Sequence, residues 1–339
     1  MRRYRKVIHQ ENVKGESMKN LITGGAGFIG SHLAEELLRK KEEVVVIDNL
    51  STGSMSNIEH LKTNPRFSSH IDTIMNEGLM QKLIAQCDVV YHMAAAVGVK
   101  FIIDNPLESI RTNVKGTEIV LELANTNGKK KVIVASTSEI YGKDRPGKHI
   151  FKEDDDRLMG STMISRWSYA AAKAMDEFLA LAYWREKKLP VVIVRFFNTC
   201  GPRQTGRYGM VVPRFVKQAL LGQPITIYGD GKQTRSFTYV TDAVKAIIEL
   251  AKSKKTIGEV FNIGNPKGIT IEELAEKIRA MAGSKSQIIH IPYEKAYERG
   301  FEDMRHREPD ISKIKSYIGF HPEVHLDEML KNIIGYFRQ

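Results

Sequence analysis

Tyr169 and Lys173 are four residues apart, so on a helix they share one face. A phenol, with a pKa of about 10, is a poor base at neutral pH. An ammonium beside it, with a positively charged nicotinamide, favours phenolate and lowers that value. Hydride abstraction from an alcohol needs such a group, because something must take the hydroxyl proton as the hydride leaves. A second cluster binds rather than reacts. In Gly24-Gly25-Ala26-Gly27-Phe28-Ile29-Gly30 the glycines Gly24, Gly27 and Gly30 remove the Cβ where backbone must approach a pyrophosphate. The helix start that follows offers free N–H groups and a positive dipole end. Asp48 stands 18 residues past Gly30, at the end of the next apolar run. A carboxylate there accepts adenosine ribose hydroxyls and repels a 2′-phosphate, which favours NAD over NADP. No Gly-Lys-Ser/Thr follows the glycines, which excludes a Walker phosphate loop.

These groups need a rigid frame, and the first half of the chain supplies one. Residues 20–23 form a short apolar run into the glycine turn. Residues 28–40 have helical spacing, with Ile29, Leu33, Leu37 and Leu38 on the inner face. Runs 44–47, 88–92, 132–135 and 191–196 read as strands buried on both faces. Helical stretches at 105–127 and 169–187 lie between them. Such alternation predicts an α/β fold: a Rossmann-type doubly wound parallel sheet with helices on both faces. Past Gly201 come loops rich in Gly, Pro and Arg, then a strand at 225–228, a helix at 242–253 and a strand at 260–263. Amphipathic helices follow at 269–282 and 326–337. The expected division is a basic extension over 1–17, disordered, and an NAD-binding domain over 18–198 to which 236–263 returns. A smaller mixed α/β substrate domain takes 199–235 and 264–339.

Composition excludes several classes. The 339 residues are 42% hydrophobic and 27% charged, which is ordinary for a globular chain and rules out disorder or a disulfide scaffold. Cys87 and Cys200 follow no metal spacing and fit a reducing, cytoplasmic setting. No run approaches the roughly 20 apolar residues of a membrane helix. His321 and His325 are i, i+4, but Pro322 spoils the helix and no third ligand is apparent, so no metal is expected. The formal net charge is +11, of which five basic and two acidic residues in the first 17 supply three units. Such a balance favours anionic partners. The basic runs 129–131 and 252–255 lack interleaved aromatics, so they read as solvated faces rather than a nucleic-acid site.

Several segments together carry a family likeness. They are the glycine loop, Asp48-Asn49, His92-Met93-Ala94-Ala95, Ser136-Thr137-Ser138-Glu139-Ile140-Tyr141-Gly142, and Tyr169 with Lys173. Over nearly all of residues 18–339 the chain resembles the extended short-chain dehydrogenase/reductase superfamily of nucleotide-sugar epimerases, dehydratases and decarboxylases. The resemblance implies that Thr137 hydrogen-bonds the sugar hydroxyl being oxidised. It assigns the NAD site to the glycine loop with Phe28 and Ile29, and to Asp48, Asn49, Asp72, Met93, Ala94, Ala95, Asn113, Ser136, Tyr169 and Lys173. It assigns a UDP-sugar to Ser138, Asn198, Val212, Tyr228, Gln233, Arg235 and Arg307, with the pyrophosphate at Asn198 and Arg235. It also implies a homodimer through a four-helix bundle, for which 105–127 and 169–187 are the candidate helices.

Three further segments narrow the choice. Arg166-Trp167-Ser168-Tyr169 is similar to UDP-apiose/UDP-xylose synthase and to the decarboxylase half of a bifunctional polymyxin-resistance enzyme. Residues 229–237 resemble UDP-xylose synthase. Gly300-Phe301-Glu302-Asp303 and His306-Arg307-Glu308-Pro309-Asp310 resemble the decarboxylase half again, where the Arg307 position is catalytic. These are UDP-glucuronate decarboxylases. Oxidation of C4 places a ketone β to the C6 carboxylate, and CO2 then leaves with the carbanion held as an enolate. Glu139 and Arg307 are the expected groups for acid/base and carboxylate work near C5. An Arg rarely yields its proton, so Arg307 is expected to act electrostatically, with water or Glu139 delivering the proton. A UDP-sugar 4-epimerase and a 4,6-dehydratase remain open. Ser138, where dTDP-glucose 4,6-dehydratases have Asp, counts against that enzyme, while GDP-mannose 4,6-dehydratase carries the same Thr-Ser-Glu and stays open. A non-catalytic NAD-sensing or RNA-binding protein would typically lack the Tyr/Lys pair.

Overall fold

Seven short runs rich in β-branched residues lie side by side. They are β1 (Lys19–Thr23), β2 (Glu43–Asp48), β3 (Phe67–Ile71), β4 (Val89–His92), β5 (Lys131–Thr137), β6 (Val191–Phe196) and β7 (Val260–Ile263). Their order is β7-β6-β5-β4-β1-β2-β3 and every neighbour is parallel. This computed structural model describes residues 17–339 apart from 144–146, 148, 207–209 and 297–303. Residues 1–16 of the basic extension and the motif at 300–303 therefore lie outside the described residues.

The sheet is wound on both faces, as the alternation predicts. Helices α1 (Phe28–Arg39) and α6 (Val240–Lys252) cover one face, with Leu33, Leu37, Val244 and Ile247 buried against Val46, Ile133 and Val192. Helices α2 (Glu77–Ala85), α3 (Pro106–Thr126) and α4 (Arg166–Ala182) cover the other, through Met80, Ile84, Val120, Leu121 and Ala180. Strand order reverses between β1 and β4. That reversal opens a crevice at the carboxyl ends of the strands, where doubly wound folds bind ligands. Thr23 pairs with both Ile47 and His92, so the ends of β1, β2 and β4 finish level beside the glycine loop.

A second core sits beyond the crevice. Helices α5 (Val211–Leu220), α7 (Ile271–Ala282) and α8 (Leu326–Arg338) bury Phe215, Val216, Leu274, Ile278, Leu330 and Ile333 together. Strand Ile225–Tyr228 pairs in parallel with Ile288–Ile291 over this core. Between the two cores the chain returns to the first sheet through α6 and β7. Helix α5 stands where the sequence past Gly201 reads as loop. Its Pro213 falls at the third helical position, within the first turn, whose N–H groups have no intrahelical partner anyway. Helix α7 begins at Ile271 rather than 269 because Thr270 is its N-cap. The Thr270 hydroxyl accepts from Glu273 N, and Glu273 reaches back to Thr270 N. Residues Gly268–Thr270 instead pair antiparallel with Thr234–Ser236, which fixes the backbone of Arg235 beside the crevice.

Candidate active site

The crevice is a cavity of about 510 Å³, within the range of small-ligand sites. One end is built from backbone. Gly24 has φ +69°, and a Cβ there would lie 2.8 Å from the Ala94 backbone. A Cβ on Gly30 would drive into the Gly24 carbonyl oxygen and lie 2.8 Å from Gly25 Cα. The loop can therefore turn this tightly into α1 only with glycine at both positions. Asp48 ties the loop down. Its Oδ2 accepts from Ala26 N at 2.9 Å and its Oδ1 from Leu50 N at 2.8 Å. Burial raises the Asp48 carboxyl above its usual value, and bonds from Leu50, Ala26 and Gly27 only partly offset this. Phe28, Ile29, Asn49, Asp72, Met93, Ala94, Ala95 and Ser136 line the same end. Asn113 does not line the cavity. It is buried behind the wall, where its amide accepts from Ala96 N at 3.0 Å and donates to Ala96 O at 3.2 Å. It holds the segment that follows β4.

The other end is built from charged side chains. Thr137 closes β5, and the short turn Ser138–Tyr141 after it carries Ser138 and Glu139. Arg307 Nη1 meets Glu139 Oε1 at 2.5 Å, and Arg166 Nη2 lies 3.5 Å from Glu139 Oε2. Arg307 Nη2 donates to Asn198 Oδ1 at 2.8 Å, while Asn198 Nδ2 donates to Ser236 O at 2.9 Å. The Asn198 amide thus orients Arg307, and Asn198 also lines the cavity. Burial works to raise the Glu139 carboxyl, but Arg307 and Arg166 outweigh it and hold it at about 2. Glu139 therefore rests as the carboxylate in the protein by itself, between two guanidiniums.

Tyr169 lies between the two ends, with Lys173 one turn further along α4. Burial pushes the Tyr169 phenol up. Glu139 and Asp176 push the same way, against the Thr137 hydrogen bond and the Arg307 charge. The lowering expected from Lys173 is thus not seen in the protein by itself. The physical reason is burial, the largest influence on the phenol. Lys173 Nζ also pairs with Asp176 Oδ2, 2.5 Å away. Arg235, Gln233, Val212 and Tyr228 also line the cavity. Arg214 lies 4.0 Å over the Tyr228 ring, so one face of that ring is already covered. Arg166, Arg203 and Arg214 are lining cations that sequence reasoning missed. Arg166 was within reach: it sits three residues before Tyr169, on the same helix face.

Comparison with known proteins agrees with this geometry. The family described as GDP-mannose 4,6 dehydratase matches residues 21–333. A UDP-N-acetyl-α-D-glucosaminuronate decarboxylase of Bacillus cytotoxicus is 48% identical over 94% of this chain and 97% of its own length. UDP-glucuronic acid decarboxylase 1 of Arabidopsis thaliana is 37% identical over 95% of this chain and 70% of its own. Among solved structures, the UDP-glucuronic acid 4-epimerase of Bacillus cereus, in complex with UDP-glucuronic acid and NAD, superposes with a TM-score of 0.85. It is 32% identical and covers 95% of this chain and 99% of its own. With matches of this extent, the chain belongs to the GDP-mannose 4,6 dehydratase family of extended short-chain dehydrogenases/reductases.

Proposed function

We propose that the chain is an NAD-dependent decarboxylase of a UDP-hexuronate, working through a C4 ketone. The observation that carries the reading is the cluster of Arg166 and Arg307 on the single carboxylate of Glu139, opening on the same cavity as Tyr169 and Thr137. Two guanidiniums and one carboxylate leave one positive charge over, which suits the C6 carboxylate of the sugar. The glycine cradle and the open start of α1 fit a dinucleotide diphosphate. NAD, when bound there, supplies the acceptor for the C4 hydrogen. Tyr169 takes the O4 proton and Thr137 orients that oxygen. Once CO2 leaves, the cationic cluster stabilises the negative charge on the enolate. Water, Glu139 or the Tyr169 hydroxyl would return a proton to C5, and the C4 ketone would then either take the hydride back, with Tyr169 giving the O4 proton, or leave as the 4-keto product.

Identity favours the sugar with a 2-acetamido group over UDP-glucuronate: 48% to the decarboxylase of the former against 37% to that of the latter. A 4-epimerase is the second reading, favoured by the likeness to the Bacillus cereus epimerase. Incubating the protein and NAD with UDP-N-acetylglucosaminuronate and UDP-glucuronate, and reading product masses, separates them. Loss of CO2 is expected, faster from the acetamido sugar. Isomers of unchanged mass would establish the epimerase instead.

The same reading includes a homodimer. Leu107 and Ile110 on α3 and Met175 and Phe178 on α4 are exposed apolar residues at i, i+3 spacing on two packed helices. A second copy of the same pair would cover them as a four-helix bundle. Light scattering should give twice the chain mass, and Phe178→Asp should return it to one. The cytoplasmic setting rests on two buried free thiols, Cys87 and Cys200. No helix of the described residues is long and apolar enough to cross a membrane.

A further inference from the structure

Lys173 and Asp176 form the most deeply buried ion pair of the described residues, with side chains 2% and 0% exposed. A lysine so placed is unstable as an ammonium unless a counter-ion faces it. Among the described residues Asp176 is its one ion-pair partner. The surroundings offer no substitute. Glu177, next on α4, is taken by Arg195 in two bonds of 2.9 and 2.7 Å and by the Ser136 hydroxyl at 2.5 Å. His92 of β4 is held neutral, at about 3, by burial and then by the Lys173 charge. Burial pushes the Tyr169 phenol up in the protein by itself, so it offers Lys173 no charge there.

Asp176 also ends a buried chain of polar groups. Ala94 N donates to Thr23 Oγ1 at 3.2 Å. Thr23 Oγ1 and His92 Nδ1 are 2.9 Å apart, and His92 Nε2 and Thr117 Oγ1 are 3.0 Å apart. Burial raises the Asp176 carboxyl, while Lys173 and then the Thr117 hydroxyl favour its ionised form. A carboxylate at the end favours one order for the chain: His92 Nε2–H donating to Thr117 and Thr23 donating to His92 Nδ1, which leaves the Thr117 hydrogen for Asp176. Asp176 Oδ1 is buried without a hydrogen-bond partner, so what satisfies this carboxylate is chiefly Lys173.

We propose that Asp176 is a positioning residue of the site: it is the counter-ion that keeps Lys173 an ammonium and fixes Nζ against the cavity beside Tyr169. An ammonium has three N–H donors. Asp176 takes one, which leaves two for a cofactor in the cavity that Lys173 lines. The inference rests on the NAD-dependent reading above. It concerns cofactor binding as well as turnover, so the two can fail separately.

The test follows NAD affinity by calorimetry and turnover of the UDP-hexuronate across pH 6–10 (about the range where a displaced lysine titrates). It compares the wild type with Asp176→Asn and Asp176→Glu. A lysine without its counter-ion is protonated only at lower pH, so D176N should match the wild type within about threefold at the acid end. As pH rises it should lose both affinity and turnover, by about tenfold per unit at the steepest. D176E restores the charge and should put the limb back at the wild-type pH. A uniform loss at every pH in D176N, with no moved limb, would mean packing alone and overturn the proposal. Should D176N fail to melt cooperatively, Thr117→Val carries the test. It weakens the hold on Asp176, and a smaller shift of the same sign is expected; an unmoved limb overturns the proposal. If the wild type turns over no UDP-hexuronate, the functional reading falls, and the NAD-affinity arm still decides the role of Asp176.

Discussion

The two ends of the cavity are built by opposite means. At the cofactor end the binding groups are backbone N–H donors, set by glycines and pinned by one carboxylate, Asp48. At the sugar end they are side-chain charges. Glu139 comes from the end of β5, Arg166 from the start of α4, Asn198 from beyond β6, and Arg307 from near the C-terminus. The first end is preformed by a stretch of seven residues. The second exists only once segments 168 residues apart, Glu139 and Arg307, have met. A backbone site cannot change its charge with pH. A side-chain site can, and its groups set one another's ionisation.

The largest effect expected from breaking this contrast is at Arg307. Arg307→Met keeps the bulk of the side chain and removes the charge. It should lower turnover about 100–1,000-fold, the usual loss for one electrostatic donor to a developing oxyanion, with NAD affinity unchanged. The pH dependence carries a second signature. The Glu139 carboxyl lies at about 2 in the folded protein, below its ordinary value of 4.5. A depressed acid contributes stability that is fully present above its unfolded pKa and is lost as pH falls through the folded one. In the wild type that contribution therefore persists down to pH 4.5 and fades toward pH 2. In R307M burial is opposed by Arg166 without Arg307, so the carboxyl rises and the loss begins at higher pH. A pH–rate profile and an acid-unfolding curve by circular dichroism read both. An unchanged acid limb in R307M would show that Arg307 does not set the ionisation of Glu139.

The same contrast explains what was legible in the sequence. Residues 191–196 and 260–263 read as strands to the residue, because a strand buried on both faces is apolar at nearly every position, with Arg195 and Asn262 the exceptions. The edge strand β3 was missed, since Phe67-Ser68-Ser69-His70-Ile71 is half polar and has one neighbour. The glycine loop was legible because its geometry lies in consecutive residues. The sugar end was legible only as separate residue names. Spacing along the chain carries no sign that Asn198 holds Arg307, that two arginines clamp Glu139, or that Asp176 takes up Lys173. Arg166 is the exception. The helical argument that joined Tyr169 to Lys173 extends one turn back to it.

A smaller and opposite effect is expected at Gly30. In Gly30→Ala the new methyl would meet the Gly24 carbonyl oxygen and approach the Gly25 Cα to 2.8 Å. Neither is the free end of a flexible side chain, so the strain cannot be relieved by a rotamer change. Gly24 cannot retreat readily either, since its own φ is +69° and the Ala94 backbone lies against it. The loop must therefore shift as a unit, moving the N–H groups that face the diphosphate. Overpacking of this kind costs about 1–3 kcal/mol. If that strain falls on the bound state, NAD affinity drops about tenfold to a hundredfold. Calorimetric titration with NAD measures it. Turnover at saturating NAD should stay within about twofold of the wild type, because the charges at Glu139, Arg166 and Arg307 are untouched and the cofactor, once bound, restores the loop. R307M should do the reverse, losing turnover while keeping affinity. If G30A instead lost turnover at saturating NAD as heavily as R307M, the two ends would be one mechanical unit, with the glycine loop positioning the sugar as well as the cofactor.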